Sequence, residues 1–381
     1  VNVNRSQTAT ASARLEQIPA PLVPPDVDTP CPIVDLAVLD RNIAAMQAAM
    51  DAAGVRLRPH VKTHKSTEVA RRQLAAGAQG ITVGTLGEAE VFADAGIDDI
   101  FVAYPLWCGG SKAARLRAVH ERTQLMVGVD SVPAVEVLAK VFTGAPGAPG
   151  VLVEVDCGAH RSGVRPTAVG EIARAADRAG LPVHGAFTHG GHGYASPAAR
   201  PAAAEDERSA MEIARCTLDA AGMSTDVLSA GSTPTALLAA QPPITEMRPG
   251  TYVYNDAMQV ALGACEPAEV AFFVAATVVS SAVDGQVILD AGAKATSRDV
   301  VTQVQGLGWL PGYPKAEITA LHDYHAFVSI PDGSAAPALG EVVSLVPTHV
   351  CPAVNLYDEL TVCVDGRVVD QWKVDARGRS G

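Results

Sequence analysis

The chain has 381 residues, and its 29 Lys and Arg stand against 41 Asp and Glu, a formal charge of −12. That balance excludes broad nucleic-acid binding and a polybasic membrane patch, while a local site for a small anion stays possible. Hydrophobic residues make up 48%, enough for one large domain and a smaller one.

Residues 1–14 are rich in Ser, Thr and Ala and are expected to fray. They lack the basic start and apolar core of a secretory signal. No apolar run reaches the length of a membrane span, so no transmembrane helix is expected. The seven cysteines are scattered without a CxxC, which argues against a disulfide framework and for a reducing, cytoplasmic setting.

From Leu39 the chain alternates helical and apolar runs. A helix over Leu39 to Ala53 precedes a strand at Arg56 to Lys62. Strands then follow at Gly80–Thr85, Ile100–Tyr104, Gln124–Asp130, Val151–Asp156, Val183–His189, Val227–Gly231 and Glu246–Tyr254, separated by helical or short connecting segments. The longest of these helices is expected over Ala203 to Ala221. Strands joined by crossover helices imply a parallel sheet, and eight such units close into a (β/α)8 TIM barrel. An open doubly wound sheet is the rival, but no G-x-G-x-x-G follows an early strand. Beyond about residue 265 the texture changes to short strands near 270–281, 287–289, 316–320, 325–329, 341–346 and 360–364, with Asp-Gly and Pro-Gly turns. The expected organisation is an arm at 1–28, an α/β barrel at 29–262 and a C-terminal mainly-β domain at 263–381. A strand near 30–38 is a candidate to join the second domain.

The strand ends carry reactive groups, and in a barrel they share one mouth. Lys62 sits between His60 and His64 at the first of them. A lysine held in an apolar wall or near a cation can condense with a carbonyl; otherwise it is a solvated residue opening a helix. Thr188-His189-Gly190-Gly191-His192-Gly193-Tyr194 interleaves imidazoles with glycines. One ring could stack on a flat cofactor and the other act as acid or base. Arg161 could bind a cofactor oxygen or ring nitrogen, or a substrate carboxylate; its rival role is a salt bridge to Asp156 or Glu154. Gly231-Ser232-Thr233-Pro234-Thr235 offers N–H and hydroxyl donors to a phosphate, with Gly250-Thr251-Tyr252 available to complete the cup; it also reads as a plain helix cap. His349-Val350-Cys351 would put imidazole and thiol on one side of an extended segment. Alone it is a two-ligand metal signal that needs water, substrate or a further ligand.

Together these clusters resemble the D-threonine aldolase and D-serine dehydratase family, metal-assisted relatives of alanine racemase, over about Thr29 to Trp372. The resemblance implies a barrel with a C-terminal β domain, pyridoxal 5'-phosphate, a divalent metal (Zn, Mn or Mg) and a head-to-tail homodimer. Arg58-Pro59-His60-Val61-Lys62-Thr63 is similar to the family's cofactor-lysine motif, so Lys62 rather than Lys65 would carry the cofactor. By the same likeness Arg161 would lie near the pyridoxal ring and His192 beside it as catalytic base, which leaves His189 as the imidazole of that loop to bind the cofactor. Tyr194, Ser232, Thr233, Gly250 and Tyr252 would hold ring and phosphate, and His349 and Cys351 would hold the metal. Asp290-Ala-Gly-Ala-Lys294 is similar to a β-domain motif that has serine in place of the second alanine.

The resemblance leaves the reaction open between two lyases. His-x-Cys is the dehydratase pattern, whereas Pro352 to Asp358 and Thr251 to Asp256 are similar to aldolases. The longer match leads to retro-aldol cleavage of a small D-3-hydroxy amino acid to glycine and an aldehyde, with His192 taking the hydroxyl proton. Dehydration of D-serine or 3-hydroxy-D-aspartate to a 2-oxo acid and ammonia, with Lys62 as base, is the alternative. A non-catalytic cofactor carrier would need neither His192 nor the metal pair, and a racemase would want a tyrosine as second base and no metal.

Overall fold

Short β-branched runs, each followed by an Ala-rich amphipathic run, wind the first half of the chain into a ring of parallel strands. The structure is a computed structural model that describes residues 11–381. The ring contains β2 (Arg56–Leu57), β3 (Ile81–Val83), β4 (Asp99–Pro105), β5 (Gln124–Val129), β6 (Gly150–Val155), β7 (Val183–Thr188), β8 (Val227–Ala230) and β9 (Glu246–Met247). Their order is β2-β9-β8-β7-β6-β5-β4-β3, so from β3 to β9 each strand lies beside its predecessor. The seam between β2 and β3 is closed by a parallel bridge from His60 to Thr82. Val61 N–H donates to Thr82 O at 2.9 Å and Thr82 N–H to Pro59 O at 2.8 Å. The expected barrel is present.

Two barrel strands are shorter than their apolar runs. The first stops at Leu57, because Pro59 has no N–H to give the ladder. The eighth stops at Met247 and is followed by a 3-10 turn over Thr251–Val253, since Pro249 and Gly250 interrupt it. The long helix runs Ala199–Ala220, starting before the expected Ala203, because Pro201 is tolerated in a first turn.

The second sheet contains β10 (Phe272–Ser280), β11 (Gln286–Leu289), β12 (Glu317–Leu321), β13 (Ala326–Ser329), β14 (Val342–Leu345), β15 (Glu359–Val364) and β16 (Arg367–Lys373). The early strand β1 (Cys31–Asp35) joins it, antiparallel to β10 and parallel to β15. The order is β12-β13-β11-β10-β1-β15-β16, with β14 also on β10. β1 ends at Asp35 because that carboxylate caps the next helix, Leu36–Ala53, accepting Val38 N–H at 3.0 Å. β16 was not expected from the sequence. It is an edge strand exposed along most of its length, so it lacks the apolar alternation that betrays a half-buried strand.

Residues 1–10 of the segment expected to fray lie outside the described residues, and the expectation fails over residues 11–14. Residues 11–15 are helical. Ala11, Leu15 and Ile18 are buried in one cluster with Val260 and Phe273, and Arg14 donates to the carbonyls of Val260 and Cys265 at 3.0 and 2.8 Å. All seven cysteines are unpaired. Among the described residues no helix is long and apolar enough to cross a membrane.

Candidate active site

At the carboxyl ends of the barrel strands a small pocket is lined by Lys62, His60, Arg161, His189, Tyr194, Ser232, Thr233, Gly250 and Thr251, with Ala103, Phe187, Gly231 and Arg248. The site thus assembles loops from the second, sixth, seventh, eighth and ninth strands of the chain, as a barrel mouth allows.

The two lysines of the first loop have different fates. Lys65 is buried and lies 3.3 Å from Glu88 Oε1, whose other oxygen accepts Gly84 N–H at 2.7 Å. Lys62 is exposed and lines the pocket. His64 points away from the mouth. Its Nδ1 accepts Ser66 N–H at 3.1 Å, so Nε2 carries the proton and donates to Gln73 Oε1 at 3.2 Å. Gln73 Nε2 then donates to the Tyr252 hydroxyl at 3.0 Å. His60 faces the pocket and accepts Lys62 N–H on Nδ1 at 3.3 Å. Burial, reinforced by the Lys62 charge, holds both His60 and His189 well below the usual imidazole range. Both rings are therefore neutral at pH 7, suited to stacking or accepting rather than to ion pairing.

Beneath the pocket lies a buried charged ladder. Arg58 Nε donates to Glu246 Oε2 at 2.8 Å, and Glu246 Oε1 accepts from Ser229 Oγ at 2.6 Å. Arg248 donates to Ser229 Oγ at 2.5 Å and to Thr188 O at 2.6 Å. Its guanidinium sits 5.4 Å from the Phe187 ring centre. Burial pushes Arg248 down to about 10, so it remains a cation on the floor. Arg248 and His60 were absent from the expected site, although both stand at strand ends.

A third residue outside the expected set supports the loops. Glu207 lies in the buried stripe Ala203, Ala204, Glu207, Ala210, Met211, Ala214 of the long helix. Its Oε1 accepts Gly190 N–H at 2.7 Å and Gly231 N–H at 2.9 Å. One carboxylate thereby ties the histidine loop to the Ser-Thr loop. A carboxylate in an otherwise apolar helical stripe was the available signal.

The Ser-Thr loop has the features of an anion cup. Ser232 N–H is taken by Thr235 Oγ1 and Tyr252 N–H by Thr233 Oγ1, each at 3.1 Å. Among the described residues no protein acceptor takes the N–H of Thr233, Gly250 or Thr251. Three such donors beside the Ser232 and Thr251 hydroxyls fit a phosphate. Gly250 is required there: a Cβ would meet His60 O at 2.7 Å. The Tyr194 hydroxyl faces Thr251 and Ser232, and burial pushes its pKa up.

Two expected site residues differ in placement from the reading. The Tyr252 phenol is turned away to Gln73, and its backbone alone meets the cup. His192 is not among the pocket residues; its Nε2 lies 3.0 Å from Asp206 Oδ2, on the long helix. The 3-10 turn Gly191–Tyr194 explains this, because it points residues 192 and 194 in different directions. Arg161 fills both of its rival roles, lining the pocket and donating to Glu154 Oε1 at 3.3 Å.

His349 and Cys351 are brought together, but not by an extended segment. His349 caps, and Cys351 opens, the short helix Val350–Val354. The Cys351 Sγ lies 3.2 Å from Thr63 Oγ1, next to Lys62 in sequence. The same chain therefore supplies both the lysine loop and this pair. Burial opposes ionisation of the Cys351 thiol, but the hydrogen bond and charge of His349 hold it below its ordinary value. Burial likewise opposes charging of His349, yet Cys351, Asp256 and Asp299 push it up to about 10. An imidazole beside a thiolate is a donor set that fits zinc or another borderline metal. Among the described residues the pair is not joined by a third ligating His, Cys, Asp or Glu, so water or substrate would complete a coordination shell. In the β-domain motif, Asp290 is a clamp: it accepts Thr277 N–H at 2.8 Å and the Thr29 hydroxyl at 2.6 Å.

A neutral stacking wall, a free lysine, an anion cup and a polarised back end define a pyridoxal-phosphate enzyme on a barrel with an appended β domain. Residues 34–257 match the family model of the alanine racemase N-terminal domain, and residues 271–363 match that of a serine dehydratase domain. D-threo-3-hydroxyaspartate dehydratase of Delftia sp. is 39% identical over 351 residues, 85% of this chain and 91% of that protein. D-threonine aldolase of Arthrobacter sp. is 38% identical over 375 residues, 95% of this chain and 97% of the relative. A solved cysteine-to-alanine variant of D-threo-3-hydroxyaspartate dehydratase, in its metal-free form, superposes with a TM-score of 0.85 at 38% identity, covering 91% of this chain and 97% of that one. The chain belongs to the alanine-racemase-like family of pyridoxal-phosphate enzymes that includes D-threonine aldolases and D-3-hydroxy amino acid dehydratases.

Proposed function

We propose that the protein is a pyridoxal-phosphate- and metal-dependent dehydratase of a small D-3-hydroxy amino acid, releasing a 2-oxo acid and ammonia. One observation carries this choice over aldol cleavage. Dehydration needs a base at Cα, and Lys62 lines the pocket; the aldol route as read from the sequence needs His192, which turns out to Asp206. The His-x-Cys pair supports the same reading, since it is the dehydratase form of the metal motif.

Lys62 would hold the cofactor, and its amine lines the pocket where it would take the proton from Cα of the substrate. His60 and His189 remain neutral, so they flank the ring without competing for that proton. Thr233, Gly250 and Thr251 offer N–H groups to the phosphate, and Ser232 adds its hydroxyl. Arg161 and Arg248 place positive charge around an anionic ligand. His349 and Cys351 would hold the divalent ion. When bound, pyridoxal phosphate supplies a sink for the electrons left at Cα, and the metal polarises the departing 3-hydroxyl. Loss of the α-proton and of hydroxide removes water, and hydrolysis then gives the oxo acid and ammonia.

Aldol cleavage stands as a second reading because an aldolase aligns over 95% of the chain. Purified protein is incubated with D-serine, D-threonine and 3-hydroxy-D-aspartate. Oxo acid and ammonia in equal amounts are expected, with turnover persisting in H192A. Glycine and an aldehyde as the main products, abolished in H192A, would refute dehydration.

A further inference from the structure

The His349 ring presents two nitrogens, and a carboxylate occupies one of them. Nδ1 lies 2.5 Å from Asp299 Oδ2, and the Cys351 thiol is the ring's other hydrogen-bonding neighbour. A carboxylate only accepts, so Nδ1 carries the proton in the neutral ring and Nε2 keeps its lone pair. Asp299 is itself anchored where it can do this. Its carbonyl accepts the Thr348 hydroxyl at 2.7 Å, its N–H is taken by Ser297 Oγ at 3.1 Å, and the preceding Arg298 donates to Leu321 O at 2.8 Å. No other nearby acid is free for the task. Asp256 is fully buried and spends its oxygens on Gln259 N–H and Val350 N–H at 2.8 and 2.9 Å.

We propose that Asp299 is the positioning residue of the metal pair: its carboxylate fixes the Nδ1–H tautomer of His349 and aims Nε2 at the point that Cys351 Sγ also faces. The proposal rests on His349 and Cys351 being the metal ligands. Asp299 meets the ring at Nδ1 and does not join the pair as a third ligand, so it orients a ligand rather than being one. Partners of this kind typically set metal affinity by 10–100-fold, by holding the ring and raising its basicity.

The test is a Zn²⁺ competition titration against a chromophoric chelator, on metal-stripped protein that retains its cofactor. D299A should bind Zn²⁺ about 10–100-fold more weakly than wild type, with the visible cofactor band and the melting temperature unchanged. D299N should fall between the two, because its amide oxygen still accepts the Nδ1 proton without the charge; it also preserves the side-chain shape if D299A is poorly folded. Affinity of D299A and D299N within twofold of wild type would overturn the role of Asp299 alone. A wild-type protein that takes up no Zn²⁺, Mn²⁺ or Co²⁺ would overturn it together with the metal pair.

Discussion

Two lysines three residues apart compete for the role of cofactor anchor, and the structure separates them by what each loses on truncation. In K65A, Glu88 would remain buried with its cation gone. The pair is 3.3 Å apart, with side chains 10% and 3% exposed. At an effective dielectric of about 20 the lost attraction is about 5 kcal/mol, in line with the ~3–5 kcal/mol seen when one partner of a buried pair is removed. Taking about 4 kcal/mol, and about 2.1 cal/mol/K of unfolding entropy per residue over this chain, the melting temperature should fall by about 5 °C. K62A, by contrast, removes an exposed side chain and should leave the melting temperature within about 1 °C. The visible absorbance of the lysine-bound cofactor should behave in the opposite way, lost in K62A and kept in folded K65A. Thermal denaturation followed by circular dichroism, and absorbance spectra of the same samples, read both. A bleached K65A beside a yellow K62A would refute the assignment of Lys62.

Protonation of His64 should weaken the fold in acid. Burial pushes its ring down to about 4 from ~6.5 in the unfolded chain. A depressed folded-state value means stability that is present above pH ~6.5 and is lost as the pH falls towards 4, up to about 3 kcal/mol. Urea unfolding at pH 7 and 4.5 should show that loss reduced by about 2 kcal/mol in H64Q, and an unchanged loss would exclude His64 as the titrating group. G190A would place a Cβ 2.7 Å from Glu207 Cδ, displacing the carboxylate that holds both loops. A stability loss of about 2–3 kcal/mol and weaker pyridoxal-phosphate binding are expected, measurable by chemical unfolding and cofactor titration. C351A should lose bound metal while retaining the visible cofactor band, and a chelator should then have no further effect on turnover; metal content equal to wild type would remove Cys351 from the metal site.

Much of the site was legible because a barrel turns strand order into spatial order. Once the strand ends were counted, Lys62, Arg161, His189, Tyr194 and the Ser-Thr loop had to share a mouth, and all of them line the pocket. What stayed hidden depends on local turns. A two-residue step along a 3-10 turn sends Tyr194 inward and His192 to Asp206. Tyr252 follows Gly250 into another such turn, and its phenol goes to Gln73. Arg248 reads as one more strand-end charge until its bonds to Ser229 and Thr188 fix it on the floor. His349 and Cys351 lie at a helix start rather than on the extended segment expected for them.

The position of β1 constrains the order in which the molecule can be completed. It emerges before the whole barrel, yet its partners β10 and β15 come after it. During synthesis this early segment must wait, unpaired, until the late strands leave the ribosome. The last-made sheet is thus closed by one of the first-made strands, as a clasp sewn to the opposite end of a belt. Removing residues 11–35 would strip the middle of that sheet and bare the edges of two apolar strands, a recognised route to aggregation. Fragments cut at the junction between the halves should therefore be soluble only when both are expressed together.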